Sequence, residues 1–204
     1  MQPTIDMNWL CRRYQLVKQL GISLATLPLT TPTQDQLQQL ADETGVSFQD
    51  FQSILTEPLP EQWQLFEQHP PLAAKSLRCA LASSDGINID GHFSRCPVMH
   101  LYDVSADSVQ LVALREMPAV PGSDGHQQRV DSLNDCQLLF IAAIGGPAAA
   151  RVIRADIYPM KVRQPAMIEP TLIDLQQRLA SGKLPPWLKK LIGEDWDAWS
   201  WQES

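Results

Sequence analysis

The segment Ser83-Ser-Asp-Gly-Ile-Asn-Ile-Asp-Gly-His-Phe-Ser-Arg-Cys96 gathers most of the residues able to do chemistry in this chain. Asp85–Gly86 and Asp90–Gly91 mark two turns, and His92 follows the second of them beside Phe93. A histidine presented by a turn keeps a ring nitrogen accessible, which suits metal ligation or acid–base work. The same residue can equally serve only to hydrogen-bond the loop together. A second segment, Ile141-Ala-Ala-Ile-Gly-Gly-Pro-Ala-Ala-Ala-Arg151, runs from a strand through Gly145–Gly146 into a helix start. Such a junction leaves backbone N–H groups without partners and favours an anion, although double glycine is commonly just a tight turn. It has neither the GxGxxG fingerprint nor the Lys-Ser/Thr of a P-loop.

Other chemistries fit less well. His92, Cys96 and His100 are spaced like zinc ligands on a helix, but Pro97 breaks any helix there and no fourth ligand stands nearby. Cys79 and Cys136 fall at strand starts and are expected in the core. A Gly-x-Ser-x-Gly elbow is absent, and the acidic residues form no paired motif.

The elements that must position these loops follow from hydrophobic period. Leu77–Ala82, Val98–Val104, Val109–Met117, Leu138–Ile144 and Tyr158–Val162 read as strands, the second and third joined by a hairpin at Ser105–Ser108. A helix of about ten residues ending near Asn134 is expected between the third and fourth strands, by its place in the pattern. A second, Ala148–Ala155, carries Pro147 in its first turn. Strands followed by strand–helix–strand predict an α/β fold: a mixed sheet with packed helices. Upstream, residues 1–71 read as a small all-α module. Its helices carry Trp9, Leu10, Tyr14, Val17 and Leu20, then Leu37, Leu40 and Ala41 after an N-cap Thr33, then Phe48, Phe51 and Ile54 after Ser47. A fourth helix is expected over Glu61–Gln68, and Pro70–Pro71 makes a linker. Residues 72–164 are then an independently folding sheet domain. The tail, 165–204, holds a helix at Thr171–Ala180 and four of the six tryptophans, Trp187, Trp196, Trp199 and Trp201.

Composition narrows the class. The chain has 204 residues, 44% of them hydrophobic, and a net charge of −7. That is enough apolar content for a core. The longest apolar run, Leu138–Ile144, falls well short of a bilayer span, and Asp6, Asn8, Arg12 and Arg13 interrupt any leader. With no CxxC pair among four cysteines, a cytoplasmic protein is expected. Residues 34–55 imitate a DNA-binding helix-turn-helix. However, Ser47–Leu55 carries no Lys or Arg, and the first 71 residues have three basic groups against eight acidic ones. Phosphate would be repelled, so protein docking is the better expectation, and neither nucleic acid nor membrane is an expected partner.

Ser83-Ser-Asp-Gly…His92-Phe93, Leu101-Tyr-Asp-Val104, Asp135-Cys136 and Gly145-Gly-Pro-Ala, in that order, resemble the dinitrogenase iron–molybdenum cofactor biosynthesis family over about residues 76–162. Gly182-Lys-Leu-Pro-Pro-Trp-Leu-Lys-Lys190 resembles an extension found in its NifX, NifY and NafY members. The extra helical head is most like the NifY/NafY branch. This resemblance implies a ribonuclease H-like sheet preceded by a SAM-like helical head. It also implies a non-enzymatic carrier that binds the iron–molybdenum cofactor or its iron–sulfur precursor and associates with cofactor-free dinitrogenase, possible contacts extending to other cofactor-assembly proteins. The family's cluster-holding histidine aligns with His92. For an anionic iron–sulfur cargo, Arg95, Arg151 or the Gly145–Gly146 amides can supply the cationic and N–H partners, and Cys96 is a candidate second ligand. Where the family usually has Gly after His-Phe, this chain has Ser94. The rival reading is a regulatory or adaptor protein whose sheet domain binds another anion.

Overall fold

The computed structural model describes residues 6–58, 72–119 and 122–193. The expected helix at 61–68, the Pro70–Pro71 break and Trp196, Trp199 and Trp201 lie outside them. Two compact units are present, one of residues 1–68 with Asp85–Ile87, the other of 69–84 with Asn88–Ser204.

In the first unit, α1 (Met7–Leu20) is capped by Asp6, whose carboxylate accepts from the Trp9 amide and from the Thr31 hydroxyl. The bond from Thr31, reinforced by the amide, holds the Asp6 carboxyl below the usual carboxylate range. α2 (Gln34–Thr44) opens on a capping box between Thr33 and Gln36. It stops at Gly45, whose φ of 70° few other residues adopt. α3 (Phe48–Thr56) follows its cap, Ser47. Trp9, Leu16, Leu37, Leu40, Phe51 and Ile54 make the core of this unit. The exposed positions of α3 include Gln49, Asp50, Gln52 and Ser53, none of them basic.

The second unit is built on a five-stranded sheet. Its strands are β1 (Leu77–Ala82), β2 (Val98–Val104), β3 (Val109–Glu116), β4 (Leu138–Ile141) and β5 (Tyr158–Lys161), in the order β3-β2-β1-β4-β5. β1, β2 and β3 are antiparallel neighbours, while β4 pairs parallel with both β1 and β5. This is the ribonuclease H-like arrangement. α4 (Gly122–Asp131) precedes β4, and α5 (Gly146–Arg154) crosses from β4 to β5. α6 (Ile168–Ser181) and α7 (Pro186–Leu191) follow. Every residue of β1 and β4 is buried, as expected for strands covered on both faces.

Several element ends shift by one to three residues, and three differences from the sequence expectation bear on the site. β4 ends at Ile141 rather than 144, because the residues after it pair with a loop instead of β1, as described below. α6 begins at Ile168, ahead of Pro170, since proline is accommodated in a first turn where its missing N–H has no role. The core also continues beyond residue 164. Leu77, Cys79 and Leu81 of β1 share one cluster with Ile168, Leu172 and Leu175 of α6 and with Leu188 of α7. Trp187 packs against this cluster and stacks on Tyr158, ring centroids 4.4 Å apart at 11°. The tail segment to Leu188 is therefore part of the sheet unit.

At the start of β1, the Arg78 guanidinium forks onto Asp103 with two 2.8 Å bonds and reaches Asp135 at 3.2 Å. Arg115 closes on the same Asp135 at 2.6 Å. Arg78 is only 4% exposed, so its charge needs these partners. That network accounts for Asp103 and Asp135 within the motifs quoted above, as ties between β1, β2, β3 and the turn before β4.

Candidate functional site

β1 and β4 run parallel, and the chain leaves their carboxyl ends in opposite directions. From β1 it turns toward β2, and from β4 it passes through α5 toward β5. Open α/β sheets place ligands in the crevice at such a switch point. Both segments singled out from the sequence lie here.

The 88–96 loop is stitched down along its length. The Ile89 amide donates to Ala166 O at 2.9 Å, and the Gln164 side chain donates to Ile89 O at 2.6 Å. The Gly91 amide donates to Ala82 O, and Gly91 O accepts from the Ala142 amide, both at 3.0 Å. His92 bridges Ala143 in parallel register, and the Phe93 amide donates to Ala143 O at 2.9 Å. Asp90 accepts from the Ser84 amide at 2.9 Å and from the Ser84 hydroxyl. Then the chain folds into a tight turn, with His92 O accepting from the amides of Arg95 and Cys96.

This stitching requires Gly91. A Cβ there would stand 2.7 Å from Ala82 Cβ and 2.8 Å from Cys96 Sγ. The next side chain in the loop, His92, is exposed, whereas Phe93 is buried. The backbone is fixed and the imidazole is offered to solvent. Such a group can ligate with little ordering cost.

Ala143 lies two residues before Gly145, so the His92 bridge brings the loop to the start of α5. Gly145 is the N-cap with φ −75°, and it makes no side-chain cap bond because it has no side chain. A Cβ at either Gly145 or Gly146 would meet nothing within 4 Å. Neither glycine is needed for backbone conformation; their effect is to leave the helix end open. Arg95 is exposed in the His92 turn. Arg151, in contrast, sits in the last turn of α5, where its charge complements the carbonyl end. The structure thus brings together His92, Arg95, Gly145 and Gly146, and sets Arg151 at the far end of the helix.

Cys96 does not share the face of His92. Its thiol donates inward to Val98 O at 2.9 Å, and burial pushes its pKa up to about 11. A second ligand would have to be a thiolate, which this setting disfavours. His100 is fully buried in β2, and among the described residues no three His, Cys, Asp or Glu side chains gather to hold a metal. His92, Cys96 and His100 therefore do not share one face.

Arg129 of α4 was not singled out from the sequence, where a lone arginine in a polar helix carries no signal. It is 3% exposed and lies under the His92 turn. Its Nε donates to Phe93 O at 2.8 Å, Nη1 to Pro118 O at 2.8 Å, and Nη2 to Cys96 O. The guanidinium carbon is 5.8 Å from the Phe93 ring centroid.

Residues 75–178, just over half the chain, match the family described as dinitrogenase iron-molybdenum cofactor. The chain belongs to the dinitrogenase iron–molybdenum cofactor family. The protein NifY of Klebsiella pneumoniae is 32% identical over 196 residues, covering 93% of this chain and 82% of that protein. Azotobacter vinelandii NifY is 38% identical over 141 residues, 69% of this chain but 56% of its own length. Thus the match to that relative spans little more than half of it. Sinorhizobium fredii NifX is 35% identical over 133 residues, covering 61% of this chain and 82% of NifX. Family membership ties the chain to nitrogen fixation and to maturation of the nitrogenase cofactor. No helix among the described residues is long and apolar enough to cross a membrane.

Proposed function

We propose that this family member is a non-enzymatic carrier of the iron–molybdenum cofactor or its iron–sulfur precursor, held through His92 and released to cofactor-free dinitrogenase. The observation that carries the reading is the exposed imidazole on a loop bonded at Ala82, Ala142, Ala143 and Ala166. A single borderline ligand gives the metal one protein bond, which a recipient site with more ligands can displace. Arg95 and the amides around Gly145–Gly146 offer an anionic cluster a cation and N–H donors beside that bond. All four cysteines are buried, so the donor this loop offers to solvent is the His92 imidazole rather than a thiolate.

The test is anaerobic mixing with isolated cofactor, followed by gel filtration and metal analysis. Wild-type protein is expected to retain molybdenum and iron. His92→Ala is expected to lose at least tenfold in retention while keeping its melting temperature, because the exposed ring carries no core packing. Equal retention by His92→Ala removes His92 from the site, and no retention by the wild type removes the carrier reading. For the partner, a chain lacking residues 1–70 is expected to keep the cargo and bind cofactor-free dinitrogenase more weakly. A truncation after Gly182 separates a contribution of the tryptophan-rich tail.

A further inference from the structure

We propose that Arg129 is a positioning residue that both shapes the His92 turn and biases the site toward negatively charged cargo. The inference rests on the carrier reading for the identity of the cargo, but not for the placement of the charge.

A guanidinium is effectively always protonated, and burying it usually calls for a carboxylate. Arg78, in the same sheet unit, shows that arrangement with Asp103 and Asp135. Arg129 is as deeply buried, yet its hydrogen bonds go to the carbonyls of Phe93, Cys96 and Pro118, and no ion pair joins it to a described carboxylate. Desolvation accordingly disfavours its charged form. The carbonyls give each of its nitrogens a partner, and among the described residues no carboxylate cancels its charge. Two of them, on Phe93 and Cys96, belong to the turn that carries His92 and Arg95, so the charge lies against the backbone of that turn. A Coulomb field in a partly buried site is weakly screened by salt, so this charge acts on whatever binds at His92. A metal-bearing ligand that is anionic overall gains, and a cationic one loses.

Two roles are separable, because fixing the turn helps every ligand of His92 whereas the charge helps only anions. Two probes of opposite charge report on them. One is the anionic iron–molybdenum cofactor. The other is the cationic aquopentaammineruthenium(II) ion, which labels accessible imidazoles and is read at His92 by peptide mass against a His92→Ala control. In full-length Arg129→Met, cofactor retention is expected to fall about tenfold while ruthenium labelling of His92 rises several-fold. Arg129→Lys, which keeps the charge and loses the fork, is expected to hold the wild-type ratio of the two within about threefold.

A fall of both probes together in Arg129→Met reduces the residue to a structural clamp and overturns the proposal. No change in either also overturns it. Should Arg129→Met fail to fold, Arg129→Lys decides: a cofactor-to-ruthenium ratio far below wild type overturns the charge role. If wild-type protein retains no cofactor, the carrier reading fails, and the ruthenium response to Arg129→Met still tests the buried charge.

Discussion

The amide of Phe93 donates to the carbonyl of Ala143 at 2.9 Å, and this bond joins the histidine turn to the segment that ends β4. Through it the turn that carries His92 and the segment leading into α5 become neighbours, although about fifty residues of chain separate them. The bond works as part of a short extension of the sheet, in which Gly91–Phe93 take the place beside Ala142–Ala143 that β1 has vacated.

Gly91 makes that extension close enough to pair. Gly91→Ala would place its methyl within 3 Å of Ala82 and Cys96 and is expected to cost about 1–3 kcal/mol and to loosen the turn. Gly145→Ala meets open space at an ordinary φ and is expected to leave the melting temperature nearly unchanged. Thermal unfolding of the two variants side by side checks both; equal losses would mean that the crowding around Gly91 is not real.

Arg78→Met should be among the most damaging single changes in the sheet unit. It leaves Asp103 without its forked partner and Asp135 with Arg115 alone, and breaking such a buried pair costs about 3–5 kcal/mol. Arg178→Ala removes an ion pair of the same type, but on the exposed face of α6, and is expected to leave the denaturation midpoint where it was. Urea denaturation distinguishes them, and a mild Arg78→Met would show that the network is dispensable.

Cysteine ionisation sets an alkaline limit. Burial raises Cys11 and Cys96 from about 9 to about 11, so folding favours the protonated thiol. The stabilisation is complete below the unfolded value near 9 and is lost as the pH climbs through about 11. Melting temperatures are expected to fall across that window, and Cys11→Ser with Cys96→Ser to flatten the fall. At pH 8 the folded chain should resist thiol alkylation until denaturant is added; rapid labelling would contradict the burial of the four thiols.

Fragments test where the sheet unit stops. Residues 72–204 are expected to unfold cooperatively, whereas 72–164 lacks the α6 side chains that cover Leu77, Cys79 and Leu81 and is expected not to. A sharp, single transition in the shorter fragment would place α6 and α7 outside the folding unit.

Much of this architecture was legible because period and punctuation agree. Thr33, Ser47, Gly21 and Gly45 stop and start helices where capping chemistry says they should, and the strand runs of β1 and β2 were bounded to the residue. His92 and Gly145–Gly146 were visible as residues out of place in otherwise apolar or helical patterns. What stayed hidden depends on long-range pairing. Ala142 and Ala143 look like more of β4, and only the returning loop reassigns them. Arg129 looks like a surface residue on α4, since a helix with little apolar patterning does not announce which side faces inward. The coverage of β1 by α6 was hidden for the same reason: a boundary drawn from changes in composition cannot see a shared core.

The bond from Ile89 to Ala166 has a temporal meaning as well. During synthesis the histidine turn emerges long before the segment that pins its leading end, and α6, which closes over β1, comes later still. A chain on the ribosome therefore has its imidazole but not the frame that aims it, since domains are completed only after their last element is released. On the proposed carrier role, competence to hold a ligand at His92 therefore waits until Ala166 and α6 have been made.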